Sequence, residues 1–220
     1  MIKKIKNCFV NEPVNLGRQS ELDVAKGIAI IFMVFCHSFE ILCDFFNPEI
    51  STDFAYYILD VVLGGSFAAP VFMFCMGISF CYSRKNSAED MVRRALNMAG
   101  IAFLLEVART AIPGFLEWVI FRDPACIGYI NLFFCSDILQ FATLAMLTIA
   151  LFKKLKLKQY VMVIIAALCS VAGQLLQWVS TGSTIGDIIT GFIWRSNDYS
   201  YFPLLSWLIL PVVLTLIPSP

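Results

Sequence analysis

The stretch at residues 21–44, ELDVAKGIAIIFMVFCHSFEILCD, decides how the rest of the chain is interpreted. Residues 24–43 are apolar with four exceptions, which are Lys26, His37, Ser38 and Glu40. About twenty helical residues rise ~30 Å, which is the thickness of the hydrocarbon layer of a bilayer. The stretch is therefore predicted to form a first transmembrane helix.

Three ionisable side chains fall on one side of this predicted helix. Lys26 and His37 are eleven residues apart, so at ~100° per residue they return to within ~20° of one face, ~16 Å apart along the axis. Asp23 is offset from His37 by ~40° and precedes Lys26 by three residues, within reach of its ammonium group. One side of the helix is thus polar from the membrane edge to deep inside.

This polar stripe has two interpretations. Ionisable groups at such depth are costly, usually face a protein interior or a wet cavity, and mark functional sites. Alternatively, Lys26 extends to the lipid headgroups and His37 only bonds a neighbouring helix. The shared face of the three residues favours the functional interpretation.

At these residues the sequence resembles the transmembrane acyltransferases, which include the acyltransferase-3 enzymes and the heparan-alpha-glucosaminide N-acetyltransferase catalytic domain. The first helix of that family reads acidic-x-x-Arg-Gly, then an apolar run, then His eleven residues after the Arg. Here the positions are Asp23, Lys26-Gly27 and His37. Lysine replaces the usual arginine, so a point charge stands where the family has a bidentate fork.

The composition is that of an integral membrane protein. Hydrophobic residues make up 59% of the chain and charged residues 15%, and the mean hydropathy is +0.79, outside the range of soluble domains. Residues 1–20 are basic but have no apolar core of their own, so they are predicted to form a cytoplasmic leader and not a cleavable signal peptide. Residues 21–220 are predicted to form the membrane domain.

Basic residues are concentrated in alternate polar segments, which predicts the topology. They lie before the first predicted span, after the second and after the fourth, at Lys3, Lys4, Lys6 and Arg18, at Arg84, Lys85, Arg93 and Arg94, and at Lys153, Lys154, Lys156 and Lys158. The intervening segments contain only Arg122 and Arg195. By the positive-inside rule, both termini and the segments at 83–94 and 153–158 are predicted to be cytoplasmic, in a multi-pass protein of the cell membrane.

The predicted fold is an all-α integral membrane bundle of about six transmembrane helices. The later spans are expected near residues 56–82, 95–112, 130–152 and 160–178 and from Phe202 onward, and Pro113-Gly114 is expected to close the third. Residues 185–194 are apolar on one side and are expected to form a short helix, either in the outer interface or as a flap over a cavity. Because the phrase Tyr201-Phe202-Pro203 with Trp207 leads into further helices in the resembling family, the chain is expected to be the N-terminal part of a larger fold.

The second predicted span carries a patch of small residues at 64–69, followed by Pro70. Small residues let another helix or a ligand approach the backbone closely, and proline removes a helix donor. The patch therefore indicates either tight packing against the first helix or a ligand-facing kink. The phrase FAAPVFMFCMG at 67–77 resembles a phrase in the second helix of bacterial members of the family.

Two pairs of polar residues lie in the third and fourth predicted spans. Glu106 and Arg109 are three residues apart, which predicts either a self-neutralising ion pair or an arginine turned towards an anionic ligand. Asp137 and Gln140 are also one turn apart, in a phrase that resembles the start of the corresponding family helix. They make either a packing hydrogen bond or, if the faces meet, a contact in which Asp137 fixes one tautomer of His37.

Cysteine and histidine give no support to a metal or redox site. The eight cysteines are scattered without a C-x-x-C pair, and His37 is the one histidine in the chain. Zinc sites and thiol redox pairs require such ligands in clusters. We therefore expect no metal.

The resemblance implies an enzyme that moves an acetyl or similar group from acetyl-CoA, or another acyl-CoA, to a hydroxyl or amine of a glycan or cell-envelope component. His37 would act as general base or carry the acyl group, with Asp137 beside it. We assign donor binding to Lys26, Asp23 and Arg109, and acceptor binding to Gln140 and Trp207. The expected partners are the lipid bilayer, acyl-CoA and the acceptor, with no nucleic acid, and a homo-oligomer is left open.

The alternative interpretation is a non-catalytic membrane protein. In a transporter or a lipid-handling subunit, the polar stripe of the first helix would line a path through the bundle. An inactive fragment is the third interpretation. An internal inverted repeat would favour a transporter, and none is visible at the level of the predicted spans.

Overall fold

The computed structural model describes residues 20–46, 67–81, 83, 87–122, 133–195 and 200–213, without the side chains of 39–46 and 81. These residues form helices with no strand, as predicted; the nearest to one is an isolated bridge between Ser136 and Ser200. The predicted leader, the first outer loop, most of the small-residue patch and the chain end after 213 lie outside the described residues. The helices are α1 Ser20–Phe46, α2 Ala69–Cys81, α3 Ala88–Glu106, a π-helical turn Val107–Ala111, α4 Ile112–Phe121, α5 Ile138–Lys154, α6 Gln159–Leu176, α7 Thr184–Gly191, α8 Leu204–Trp207 and α9 Ile209–Val213.

Helix α1 confirms the helical prediction for residues 21–44. It begins with Glu21 and Asp23 in its first turn, where carboxylates interact favourably with the partial positive charge of the helix N-terminus. It packs against α2, and Phe32 meets Phe67 edge to face at 6.1 Å between ring centroids. Pro70 is the second residue of α2 and follows residues 67 and 68, which are already helical.

Helix α3 begins earlier than the sequence predicted. Residues 88–94 were expected in a polar loop, but Ser87 caps the helix by accepting a hydrogen bond from the Asp90 N–H at 3.1 Å. The Ser87 hydroxyl in turn donates to the Asp90 carboxylate at 2.7 Å. This cap satisfies the Asp90 N–H, which would otherwise be unpaired at the helix start. The polar character of residues 88–94 therefore reflects an exposed first part of a helix.

The prediction that Pro113-Gly114 closes the third span is wrong. The helix continues as one element from Ala88 to Phe121. A proline inside an α-helix removes one backbone hydrogen bond because it has no N–H, and its ring clashes with the preceding turn. Here it follows the π-helical turn and lies in the first turn of α4. The helix ends at Arg122, whose left-handed backbone (φ 55°) lets its N–H bond the Trp118 carbonyl at 3.1 Å.

Helix α5 begins at Ile138 and not near residue 130. Asp137 is its N-cap, and its carboxylate accepts from the Ile138 N–H at 2.6 Å. Ser136 is held in a non-helical conformation by backbone bonds from Tyr201 and Phe202 to its carbonyl at 3.0 and 3.2 Å. The polar Ser-Asp pair thus starts the helix instead of lying within it.

Helix α5 is the centre of the fold. Its buried residues repeat at three- and four-residue intervals, at Ile138, Phe141, Ala142, Ala145, Met146, Ile149, Ala150 and Phe152. It packs along α3, and its buried side joins one core with α2, α6, α8 and α9. The bundle that positions the polar residues is therefore built around this helix.

The last described helices are joined to the bundle through two glycines. A Cβ at Gly77 of α2 would lie 2.6 Å from the Pro211 carbonyl oxygen of α9, and one at Gly173 of α6 would lie 2.7 Å from the Ser206 backbone nitrogen. Hydrogen in place of a side chain lets these backbones touch. Helix α6 lies close to its predicted range of 160–178.

Helix α7 confirms the short helix expected at 185–194, and both of its expected positions stay open. Ser183 caps it by accepting from the Gly186 N–H at 3.1 Å. Asp187 accepts from the Thr181 N–H at 2.8 Å and pairs with Arg195, which closes the segment on itself. We call Ser180, Thr181, Asp187 and Arg195 the Asp187 clasp.

Two continuous helices in the described ranges are long and apolar enough to cross a membrane, Ala88–Phe121 and Gln159–Leu176. Their apolar windows are only 22% and 17% buried within the protein, whereas the core helix of a soluble domain is mostly buried. Their outward faces carry Phe103, Leu104, Phe115, Ile120, Leu168, Val171 and Leu175. This apolar exterior favours a lipid environment, and the count of six spans stays a prediction.

Candidate functional site

The first polar contact of interest joins α1 to α2. Lys26 Nζ donates a hydrogen bond of 2.7 Å to Ser79 Oγ, and the Ser79 hydroxyl donates to the Cys75 carbonyl at 2.6 Å. Lys26 is half-buried on the face of α1 that also carries the buried Ala29 and Cys36. The predicted lysine therefore points towards its neighbour helix, although the observed partner is Ser79 and not the expected Asp23.

His37 lies further along the same helix. It neighbours the buried Cys36 and is itself exposed in the described structure. The helical rise puts it ~16 Å from Lys26 along the axis. Asp23 is half-buried one turn before Lys26. The catalytic role of His37 and the donor-binding role of Asp23 stay predictions.

The second polar site lies where α3 passes into the π-helical turn, facing the start of α5. Arg109 Nη2 donates to Glu106 Oε1 at 2.8 Å, and Arg109 Nη1 donates to Asp137 Oδ2 at 2.8 Å. The ion pair predicted for Glu106 and Arg109 is therefore present. The second carboxylate partner was not predicted, because Asp137 reaches Arg109 only through the packing of α5 on α3.

Gln140 completes this site. Its Nε2 donates to Glu106 Oε1 at 3.0 Å, so that one carboxylate oxygen accepts from both Arg109 and Gln140. Asp137 and Gln140 thus share a face, as expected, but Gln140 binds a glutamate on the neighbouring helix. We call Glu106, Arg109, Asp137 and Gln140 the Arg109 cluster.

Burial differs strongly within the Arg109 cluster. The side chain of Glu106 is 4% exposed, that of Asp137 16% and that of Arg109 43%. The carboxylate of Glu106 is thus enclosed while the arginine opens to the surroundings. Among the described residues, Glu106 Oε2 and Gln140 Oε1 are buried without a hydrogen-bond partner. Buried polar atoms without a hydrogen-bond partner are rare in proteins and require an explanation.

Lys26 and the Arg109 cluster lie towards different ends of the bundle. Ser79, which holds Lys26, is near the end of α2, where Phe80 belongs to the same buried core as Met91 in the first part of α3. Glu106 lies eighteen residues beyond Ala88, which corresponds to ~27 Å along α3. Asp137 contacts Arg109 and the Ile138 N–H, and its predicted contact with His37 stays untested.

Trp207 packs against other apolar residues in the described structure. It lies at the end of α8, stacks edge to face on Phe202 at 5.6 Å between ring centroids, and packs against the core. Its assignment to acceptor binding stays a prediction.

A cavity of about 520 Å³ opens between α3 and α5, near the end where Lys26 lies. Its apolar lining includes Val92, Leu96 and Leu147, and its charged lining consists of Glu89, Arg93 and Lys154. In the described part of the chain, no three histidine, cysteine, aspartate or glutamate side chains are grouped as metal ligands.

Sequence reasoning missed two functional candidates, Ser79 and Glu106 Oε2. Ser79 had a visible signal, since a serine four residues after Cys75 interrupts an otherwise apolar helix. The free oxygen of Glu106 had none, because it depends on which atoms Arg109 and Gln140 contact. Hydrogen bonds between helices are set by packing and not by spacing along one helix.

Residues 18–215 match the family model described as "Heparan-alpha-glucosaminide N-acetyltransferase, catalytic". The chain belongs to this family. The match covers every candidate residue from Asp23 to Trp207. Members of the family are membrane acetyltransferases that in general use acetyl-CoA as donor. Neither a curated protein nor a solved structure gives a significant match to the chain.

Proposed function

We propose that this protein transfers an acetyl group from acetyl-CoA to an amino or hydroxyl group of a glycan or cell-envelope acceptor at the membrane. One observation carries the proposal beyond the family description. Lys26 is held against α2 by Ser79 at 2.7 Å, on the helix that carries the one histidine of the sequence. A cation and an imidazole are thus fixed on one rigid element.

The donor binds near Lys26 in this proposal. An ammonium group has three N–H donors, and among the described residues Lys26 donates to a single acceptor, Ser79. The remaining donors are suited to the phosphate groups of CoA, for which lysine acts as a point charge. The ~16 Å between Lys26 and His37 along the helix suits the long thioester arm of the donor, which would enter from the cytoplasmic side.

His37 then performs the proton transfer. The acceptor nitrogen or oxygen attacks the thioester carbonyl while the imidazole takes the acceptor proton. The C–S bond breaks, an amide or ester C–N or C–O bond forms, and the imidazolium returns the proton to the leaving thiolate to give free CoA. In the two-step variant, the imidazole itself carries the acetyl group before the acceptor receives it.

The surroundings of Arg109 do not suit the donor-binding role assigned to it. Both of its terminal nitrogens are engaged by carboxylates, Glu106 and Asp137. A guanidinium neutralised in this way has little attraction left for a phosphate. We therefore propose that Arg109 positions the two carboxylates and that Gln140 lies at the acceptor side.

The decisive experiment compares His37→Ala with Ser38→Ala in the full chain reconstituted in vesicles. Transfer of labelled acetyl from acetyl-CoA to a glucosamine-terminated acceptor is measured. His37→Ala should lower kcat by about 10²- to 10⁴-fold, the usual contribution of a positioned general base. Ser38→Ala is the matched control, since it alters the adjacent exposed polar residue of α1. Normal turnover in His37→Ala would overturn the mechanism.

A lipid-handling protein is the second candidate, and the cavity between α3 and α5 favours it. Its apolar lining next to Arg93 and Lys154 suits a lipid chain with an anionic headgroup. In that case the vesicles would show lipid binding or movement and no acetyl transfer. The same preparation therefore distinguishes the two functions.

A further inference from the structure

Two acceptor atoms of the Arg109 cluster receive no hydrogen bond from the other members of the cluster. Arg109 donates to Glu106 Oε1 and Asp137 Oδ2, and Gln140 donates to Glu106 Oε1. The second glutamate oxygen and the glutamine carbonyl oxygen are left without donors in the described residues, although both are buried. Hydrogen-bond accounting therefore predicts that a donor from outside the cluster belongs here.

The orientation of both acceptors is fixed by the contacts of their neighbours. Arg109 and Gln140 both bind Oε1 of Glu106, so that Oε2 is the oxygen left over. Because Gln140 uses its Nε2 on the glutamate, its carbonyl oxygen is the atom left over on that side chain. The two free atoms thus belong to side chains that are hydrogen-bonded directly to each other.

Charge indicates what kind of group this is. The four side chains carry two carboxylates and one guanidinium, so the cluster has an excess negative charge in a largely buried site. Such a site repels phosphates and favours an amino group, which donates hydrogen bonds and can carry positive charge. A hydroxyl group satisfies the acceptors but does not balance the charge.

We propose that Glu106 Oε2 and Gln140 Oε1 form a subsite for the primary amino group of the acceptor. This inference rests on the proposed acetyl transfer for its biological meaning, although binding at the subsite does not require turnover. The partly exposed Arg109 marks the open side of the cluster. The amine would therefore bind towards the end of the bundle away from Lys26.

The test measures glucosamine binding to the purified full chain in detergent, without acetyl-CoA, by isothermal titration calorimetry. Glu106→Gln keeps the shape of the side chain and removes its charge. It should weaken glucosamine binding by at least about tenfold, as expected for loss of a hydrogen bond to a charged group. N-acetylglucosamine, which has no free amine, should bind the unaltered chain weakly and Glu106→Gln equally weakly.

The control is Glu117→Gln, which makes the same change on the same continuous helix. Glu117 also has a buried carboxylate oxygen without a partner among the described residues, but it lies outside the Arg109 cluster. It should leave glucosamine affinity unchanged. Absence of glucosamine binding to the unaltered chain, or equal affinity in Glu106→Gln, would overturn the subsite; equal affinity together with lower thermal stability would show that Glu106 is structural.

The failure of this subsite can be told apart from the failure of the proposed function. Glucosamine binding that depends on Glu106, in a chain that transfers no acetyl group, would support the subsite and contradict the proposed function. Acetyl transfer that depends on His37, with the KM for glucosamine unchanged in Glu106→Gln, would support the function and overturn the subsite.

Discussion

Lys26 and Arg109 are both cations in long apolar helices, yet their surroundings differ. Lys26 donates to one neutral hydroxyl, that of Ser79, and makes no ion pair in the described structure. Arg109 lies between two carboxylates, each at 2.8 Å. A cation with a neutral partner keeps its attraction for an anionic ligand, whereas one between two carboxylates is neutralised. We therefore expect the partner, and not the cation itself, to distinguish a ligand site from a structural one.

The largest effect outside catalysis is expected from Arg109→Leu. Removal of the guanidinium leaves the buried Glu106 carboxylate without its counter-charge, which should lower the free energy of unfolding by about 3 kcal/mol. Thermal or denaturant unfolding in detergent measures this loss. Arg93→Leu is the matched control on the same helix, because Arg93 is exposed, and it should change stability by less than about 0.5 kcal/mol. If the two variants were equally stable, Arg109 would not have the structural role that separates it from Lys26.

Lys26→Ala should affect donor binding strongly and stability only slightly. We expect the KM for acetyl-CoA to rise about tenfold through loss of a charge-assisted contact with phosphate, while the unfolding free energy changes by less than about 1 kcal/mol. Lys26→Arg should retain activity because the positive charge is kept. Lys156→Ala, at an exposed cation of the α5–α6 connection, is the control. A similar rise in KM for that variant would mean that general surface charge, and not the Lys26 site, attracts the donor.

The smallest effect concerns an ion pair outside the spanning helices. In the Asp187 clasp, the Thr181 N–H and then Arg195 hold the pKa of the Asp187 carboxyl well below its usual range. The unfolded chain therefore binds a proton at higher pH than the folded chain does. The stabilisation is complete above the ordinary aspartate pKa of ~3.9 and is lost as pH falls below it.

The measurement is the unfolding temperature of the unaltered chain and of Asp187→Asn between about pH 6 and about pH 3. The unaltered chain should be the more stable of the two at the upper end of this range. The difference should shrink as pH falls. A difference that stays constant would show that the clasp acts through shape and not through the charge of Asp187.

The sequence predicted well those features that depend on neighbours along the chain. The ranges of α1, α6 and α7, the lysine turn after α5 and the Glu106–Arg109 pair all follow from periodicity, capping or helical spacing. Pro113-Gly114 misled the prediction because the π-helical turn that accommodates it has no local signature. The start of α5 was misplaced because Ser136 is fixed by residues 201 and 202, far away in the sequence.

The candidate site was predicted only in part for the same reason. Lys26, Arg109, Asp137 and Gln140 were recognised as polar residues in apolar surroundings, but apart from the Glu106–Arg109 pair their side-chain partners lie on other helices. The bond from Lys26 to Ser79 and the bond from Gln140 to Glu106 both depend on how the helices pack. Composition identifies such residues, while tertiary structure assigns them partners.

The contact between Gly77 and the Pro211 carbonyl has a consequence for biosynthesis. Helix α2 is made early and α9 late, yet the two backbones touch so closely that a methyl group at Gly77 would lie 2.6 Å from that carbonyl oxygen. Helices α3 and α5 are closer in the chain and can pair before the ribosome has finished α9. Helix α2, by contrast, has to wait in the membrane with its glycine face uncovered until residue 211 has been inserted. The order of synthesis therefore delays the packing of this face of α2 until the last described helix has been made.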